Sequence, residues 1–197
     1  MTLTTPVPRN LSTSIDLPSW VEGAVDWNKR YLHDEEKMSL ALTLSELNYR
    51  NQTGGPFGSA IFDSESGALL GVGVNRVLPL KNSVLHGEII AIMLAEKTVE
   101  SFSLGAGNQR AELFTSCEPC AMCLGATLWS GVGRLVCSAA AEDARGIGFD
   151  EGPVFDGSYE YLSNAGIRVQ RHFMRERGKA ILKAYGDSGG PIYNGRP

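Results

Sequence analysis

The chain has 197 residues, 18 Lys and Arg against 22 Asp and Glu, and a formal net charge of −4, enough for one domain with a sizeable core. That acidic balance argues against a large phosphate-binding surface and hence against a polynucleotide substrate. No run of about 18 uncharged apolar residues exists to span a bilayer, and residues 1–10 show no basic-then-apolar signal, so a cytoplasmic protein is expected.

Residues 1–30 read as an N-terminal arm, rich at first in Thr, Ser and Pro, with Trp20 and Trp27 expected to pin it to the body. From Asp34 to about Asn51, Leu40, Leu44 and Leu47 recur at helical spacing behind an acidic first turn, and Gly54-Gly55-Pro56 ends the helix. Phe57 to Phe62 and Ala68 to Val74 predict a β-hairpin. A second helix is expected from Val84, with Ile89, Ile92, Met93 and Glu96 passing from core to solvent. Gly105 to Asn108 reads as a loop and Glu112 to Ser116 as a strand. Pro119 suits the first turn of a third helix reaching about Trp129. Strands over Arg134 to Ser138 and Gly166 to Arg171 flank a short helix, Tyr159 to Asn164. A helix over Met174 to Tyr185 follows, and residues 186–197 form a tail. The alternation predicts a layered α/β class, with residues 31–185 as the main domain. Arg168, Arg171, Arg175, Arg177 and Lys179 are read as a solvated helix face.

Three of the four cysteines fall between positions 117 and 123, which points to metal chemistry and away from a disulfide framework. His86-Gly87-Glu88 followed by Pro119-Cys120-Ala121-Met122-Cys123 supplies three zinc ligands, His86, Cys120 and Cys123. Three protein ligands leave the fourth tetrahedral position open, as in a catalytic site. Cys120 and Cys123, three apart on a helix, face the same way. A helix N-terminus favours the thiolate form that zinc requires. Zinc acidifies a water to near neutrality, and Glu88, two residues from a ligand, is placed to move its protons.

Other uses of these residues are open. Cys117 with the three ligands would make a closed structural site, but that explains neither Glu88 nor Pro119; packing at a strand end suits Cys117 better. An iron–sulfur cluster would need Cys137, which lies in a strand pattern. His33 and His172 read as surface residues. Gly186-Asp187-Ser188-Gly189-Gly190-Pro191 spells the segment around a chymotrypsin-like nucleophile, but only nine residues follow that serine and no matching histidine precedes it. It reads as a turn.

H-x-E…P-C-x-x-C is the established signature of zinc deaminases, and both of its halves are present in this sequence. The chain resembles the cytidine deaminase-like superfamily, and within it the guanine deaminase branch in its bacterial guanine and ammeline deaminase form. Thr53-Gly54-Gly55-Pro56-Phe57-Gly58, Gly73-Val74-Asn75-Arg76-Val77, Ser116 to Ala126 and Ile147-Gly148-Phe149-Asp150-Glu151-Gly152-Pro153 carry the likeness. It runs along residues 34 to 195 and ends in the tail Pro191-Ile192-Tyr193-Asn194. The resemblance implies a three-layer α/β/α sandwich around a five-stranded mixed sheet, one zinc per chain, a nucleobase as small-molecule substrate, and a homodimer without nucleic acid or membrane partners. It implies that Glu88 and Glu151 are catalytic, and that Asn75, Phe57, His86 and Asp150 contact the base. Tyr193 becomes a candidate aromatic of a C-terminal lid; a docked surface tyrosine is the alternative. Guanine going to xanthine and ammonia is the expected reaction, with cytosine or ammeline as the alternative substrate, adenosine in tRNA weaker, and a zinc-stabilised interaction module as the outsider. The chain departs from the commoner H-A-E at Gly87, a glycine that yeast-type cytosine deaminases share. Its missing methyl is expected to alter the pocket floor.

Overall fold

The computed structural model describes residues 11–106 and 110–195; residues 1–10 of the expected arm, Gly107 and Asn108 of the expected loop, and residues 196–197 of the tail lie outside that range. Five strands form one sheet in the order β2-β1-β3-β4-β5, comprising β1 (Gly58–Asp63), β2 (Leu69–Val74), β3 (Ala111–Cys117), β4 (Arg134–Ala139) and β5 (Arg168–Gln170). Pairs β1–β2 and β1–β3 are antiparallel, while β3–β4 and β4–β5 are parallel. The eight helices described are α1 (Trp20–Ala24), α2 (Asp34–Arg50), α3 (Val77–Leu80), α4 (Gly87–Thr98), α5 (Ala121–Ser130), α6 (Ala141–Arg145), α7 (Asp156–Asn164) and α8 (Arg175–Asp187).

Both faces of the sheet are covered, which gives the expected three layers. Ala60, Phe62, Phe114 and Val136 pack with Met38, Leu42 and Leu44 of α2 and Ile181 of α8. Their neighbours Ile61, Leu113, Leu135 and Cys137 point the other way, onto Ala91 and Ala95 of α4, Leu124 of α5 and Tyr159 and Leu162 of α7. The period-two alternation of side chains therefore feeds two cores from the same strands.

Close backbone approach sets the position of α4. A Cβ on Gly73 of β2 would come within 2.0 Å of the Gly87 carbonyl oxygen, and one on Gly71 within 2.7 Å of the Ala95 nitrogen. Glycine at these two places lets the first turn of α4 lie directly on β2. In the hairpin, Gly67 has φ +66°, and Asp63 Oδ1 accepts the Ser66 N–H at 2.7 Å, so the turn chemistry fixes the register.

Several sequence expectations are corrected. Helix α4 begins at Gly87 and not Val84, because His86 holds an extended N-cap conformation. Its buried face is Ile90, Ala91, Ile92 and Ala95, and Met93 is 45% exposed, so the apolar stripe sits one position from Ile89. Pro119 precedes the N-cap Cys120 of α5 instead of lying inside the first turn. Trp20 packs on the core and its Nε1–H donates to Thr53 Oγ1, but Trp27 is 46% exposed and its Nε1–H donates back to the Glu22 carbonyl within the arm; Val21 and Val25 are buried in its place. The basic stretch is not one solvated face. Arg171 pairs with Glu118 and Asp156, Arg175 pairs with Asp143, and Arg177 bonds Ser39, so these side chains fasten β5 and α8 to the body. Helices α1, α3 and α6 escape the sequence pattern because a helix of four or five residues has no repeat to show.

Candidate active site

The site forms where β1 starts and β2 and β3 end. Register brings these ends together: Gly58 lies opposite Val74, and Ser59 opposite Thr115. The Asn75 N–H donates to the Phe57 carbonyl at 3.0 Å, closing the edge of the hairpin. Asn48 of α2, fully buried, donates from Nδ2 to the carbonyls of Gly55 (2.8 Å) and Asn75 (2.9 Å) and ties both loops to the same helix. Nothing in the sequence flagged Asn48, since a single Asn inside a helix pattern carries no signal of its partners.

Two helix N-termini deliver the metal ligands, His86 as N-cap of α4 and Cys120 as N-cap of α5. His86 Nδ1 lies 3.5 Å from Cys120 Sγ and 3.6 Å from Cys123 Sγ, and the three ligand atoms are all within 4.8 Å of one another. A tetrahedral zinc with Zn–S of about 2.3 Å and Zn–N of about 2.0–2.1 Å requires S···N separations of about 3.5–3.6 Å. The donor set and its spacing therefore fit zinc. Cys117 stays out of this group: it is buried in a third cluster with Phe149, Leu182 and Tyr185, its Sγ 3.6 Å from the Ala140 carbonyl. With Cys117 elsewhere the site is open, and the closed structural arrangement does not form.

In the metal-free site the two ligand thiols divide their roles. A hydrogen bond from the Cys123 thiol, with help from His86, holds Cys120 down to about 4 and so in the thiolate form. That same bond, together with burial, pushes Cys123 well up, so it keeps its proton. Burial pulls His86 down, but the hydrogen bond and charge of Cys120 outweigh it and raise the imidazole above its ordinary value. Burial also raises the Glu88 carboxyl, with the Cys120 charge adding to it. Glu151 is pushed up to about 8 by burial first and then by the charges of Cys120 and Glu88.

All the residues singled out from the sequence, apart from Cys123 behind the wall, line a single cavity of about 340 Å³: Phe57, Asn75, His86, Glu88, Cys120, Asp150, Glu151 and Tyr193. Loop 146–154 reaches it because the Glu151 carbonyl accepts the Ala121 N–H at 3.0 Å, which locks the loop to the start of α5. Asp150 sits at the rim, its carboxylate taking the Gly152 N–H. The tail folds back over the cavity. Asn194 clasps that loop, donating to the Gly148 carbonyl at 3.0 Å and accepting the Asp150 N–H at 2.9 Å, while the Tyr193 ring meets Phe149 edge-on at 5.1 Å. Sequence reasoning missed Asn194, Phe149 and Glu118 as members of this wall, although each lies in a stretch that carries the family likeness. Ala fits at Gly87: an added Cβ would be 3.4 Å from Gly73 O, Phe57 O and Ser59 Oγ, on the sheet side. Gly87 is not part of the cavity lining, so its missing methyl does not alter the pocket floor.

Residues 32–139 match the cytidine and deoxycytidylate deaminase zinc-binding region.

This chain belongs to the cytidine and deoxycytidylate deaminase family.

The deaminase superposes on a solved guanine deaminase from Nitrosomonas europaea with a TM-score of 0.86 and 37% identity, over 92% of this chain and 100% of that one. It is similarly close to the protein NE0047 in complex with 2,6-diaminopurine, at TM-score 0.85 and 39% identity over 93% and 97% of the two chains. Guanine deaminase of Bacillus subtilis is 33% identical over 124 residues, 63% of this chain and 76% of that protein. The chain is thus a zinc-dependent deaminase of guanine deaminase-like type, with His86, Cys120 and Cys123 as its zinc cluster. Among the described residues no helix is long and apolar enough to cross a membrane.

Proposed function

We propose that the protein hydrolyses the exocyclic amine of a free nucleobase, with guanine going to xanthine and ammonia. The observation that carries this reading is the convergence of two buried carboxyls, Glu88 and Glu151, on the cavity that the zinc ligands line. Similarity to solved guanine deaminases over nearly the whole chain supports guanine as the base.

His86, Cys120 and Cys123 would hold zinc, which would supply a water acidified to near neutrality as the nucleophile. Glu88 is placed to take the proton of such a water and pass it to the ring nitrogen beside C2. Burial raises the Glu151 carboxyl, which suits it to give a proton to the departing amine and to take back the hydroxyl proton left on C2. Asn75 hydrogen-bonds the base edge, Phe57 and the His86 ring face the base plane, and Asp150 and Tyr193 close the rim. The chain also acts as a homodimer in the cytosol on this reading. Trp129, Phe155 and Tyr161, 80%, 69% and 65% exposed, supply apolar surface for a second copy. Light scattering at micromolar concentration tests the dimer, and cell fractionation the location.

Ammonia release by zinc-quantified protein on guanine, cytosine, ammeline, adenine and their nucleosides tests the substrate. Guanine turnover is expected, falling by about 10²–10⁴ in Glu88→Ala at unchanged zinc content. Turnover of cytosine or ammeline alone would replace guanine, and an active Glu88→Ala would remove the proposed proton carrier.

A further inference from the structure

Glu118, between the end of β3 and Cys120, has the most enclosed carboxylate at the site: its side chain is 1% exposed. Two donors and an imidazole nitrogen, from two separate segments, converge on it. Ala141 at the start of α6 gives its N–H to Oε2 at 2.9 Å, while Arg171 Nε and His172 Nε2, the latter at 3.1 Å, reach Oε1 from the β5–α8 connection. The backbone N–H of Glu118 donates to the Ala139 carbonyl at 2.8 Å, so main chain and side chain are both held. Arg171 is itself fixed, its guanidinium stacked 4.2 Å over the Tyr159 ring and bonded to Asp156 Oδ1 at 2.8 Å.

We propose that Glu118 and Arg171 form a positioning pair that sets where Cys120 enters the metal triad. Only Pro119, with its φ locked by the ring, separates the anchored Glu118 from Cys120, so little slack remains between the carboxylate and the ligand. On the far side, the Ala121 N–H is held by the Glu151 carbonyl. Cys120 is thereby clamped from both directions, and its Sγ is held at 3.5 Å from His86 Nδ1. Stability alone does not call for such a pair, because well-packed neutral side chains commonly replace a buried ion pair at no loss. Placing a ligand atom does call for it, since partners outside the ligand set orient the ligands. The inference rests on the zinc cluster and is independent of which nucleobase is the substrate.

Glu118→Gln/Arg171→Met removes both charges at similar volume, and Arg171→Lys keeps the charge but loses the planar fork. Zinc affinity by chelator competition and the visible spectrum of the cobalt(II) form, which reports ligand geometry, are measured beside thermal unfolding of the metal-free protein. The double variant is expected to unfold near the wild-type temperature yet bind zinc about tenfold to a hundredfold more weakly, with an altered cobalt spectrum. Arg171→Lys should fall between the two. A folded double variant with wild-type zinc affinity and spectrum overturns the proposal. So does failure of both variants to fold, which would make the pair a stability element of the body.

Discussion

The Tyr193 hydroxyl rests on the backbone of Gly55: a Cβ at that glycine would stand 2.0 Å from the phenol oxygen. Burial raises the Tyr193 phenol well above its ordinary value, so it stays neutral in this contact. The tail thus closes only over a bare backbone. Gly55→Ala should push Tyr193 out, costing about 1–2 kcal/mol of closure, or roughly five- to thirtyfold in kcat/KM. Zinc content should not change. Steady-state kinetics with metal analysis checks this; unaltered kinetics would mean the tail does not act as a lid.

Zinc binding should release protons. At pH 7 Cys120 is already a thiolate and Cys123 still holds its proton, while the neighbouring Cys120 thiolate raises the His86 imidazole against the pull of burial. About one to two protons should therefore leave per zinc, and apparent affinity should rise with pH through neutrality. Calorimetry in buffers of different ionisation heat counts them. A count near zero would show that both thiols are ionised before the metal arrives.

Glu151 makes zinc-free stability depend on pH. Its folded value is raised from 4.5 to about 8, so its contribution is full below about 4.5 and is lost as pH rises through 8. Cys120, lowered to about 4, acts with the opposite sign. The informative quantity is the difference from Glu151→Gln. Wild type should lose stability relative to that variant between about pH 5 and 8, by at most ~1.4 kcal/mol per pH unit. Urea unfolding of the zinc-free proteins at several pH values measures it, and a flat difference would leave Glu151 an ordinary carboxylate.

Gly87→Ala should leave zinc content and substrate preference as they are. The new methyl would face Gly73 O, Phe57 O and Ser59 Oγ at 3.4 Å, away from the cavity. Stability should change by less than about 1 kcal/mol, the helix gain of alanine set against a tight fit. A switch of preference among guanine, cytosine and ammeline in the same ammonia assay would return Gly87 to the pocket.

Chemistry in this protein was legible wherever it is carried by short spacing. His86, Glu88, Cys120 and Cys123 declare a metal triad with an acid beside it because zinc constrains which donors stand together, whatever the surrounding fold. Short, largely apolar runs marked β1, β3 and β4, since a strand covered on both faces carries few charged side chains. The α2 stripe of Leu40 and Leu44 showed its helix because only a helical repeat brings such residues to one face. What lay beyond reach depends on partners distant in the chain. Asn48 joins Gly55 to Asn75, Asn194 clasps residues 148–150, and Arg171 crosses 53 positions to meet Glu118. A hydrogen bond between such residues leaves no periodicity and no spacing rule. Gly87 taught the same lesson: its letter marked a departure, but only the packing of α4 on β2 decided that the missing methyl faces the sheet. Local chemistry was written in the order of residues, whereas the direction in which each group points was decided by what packs against it.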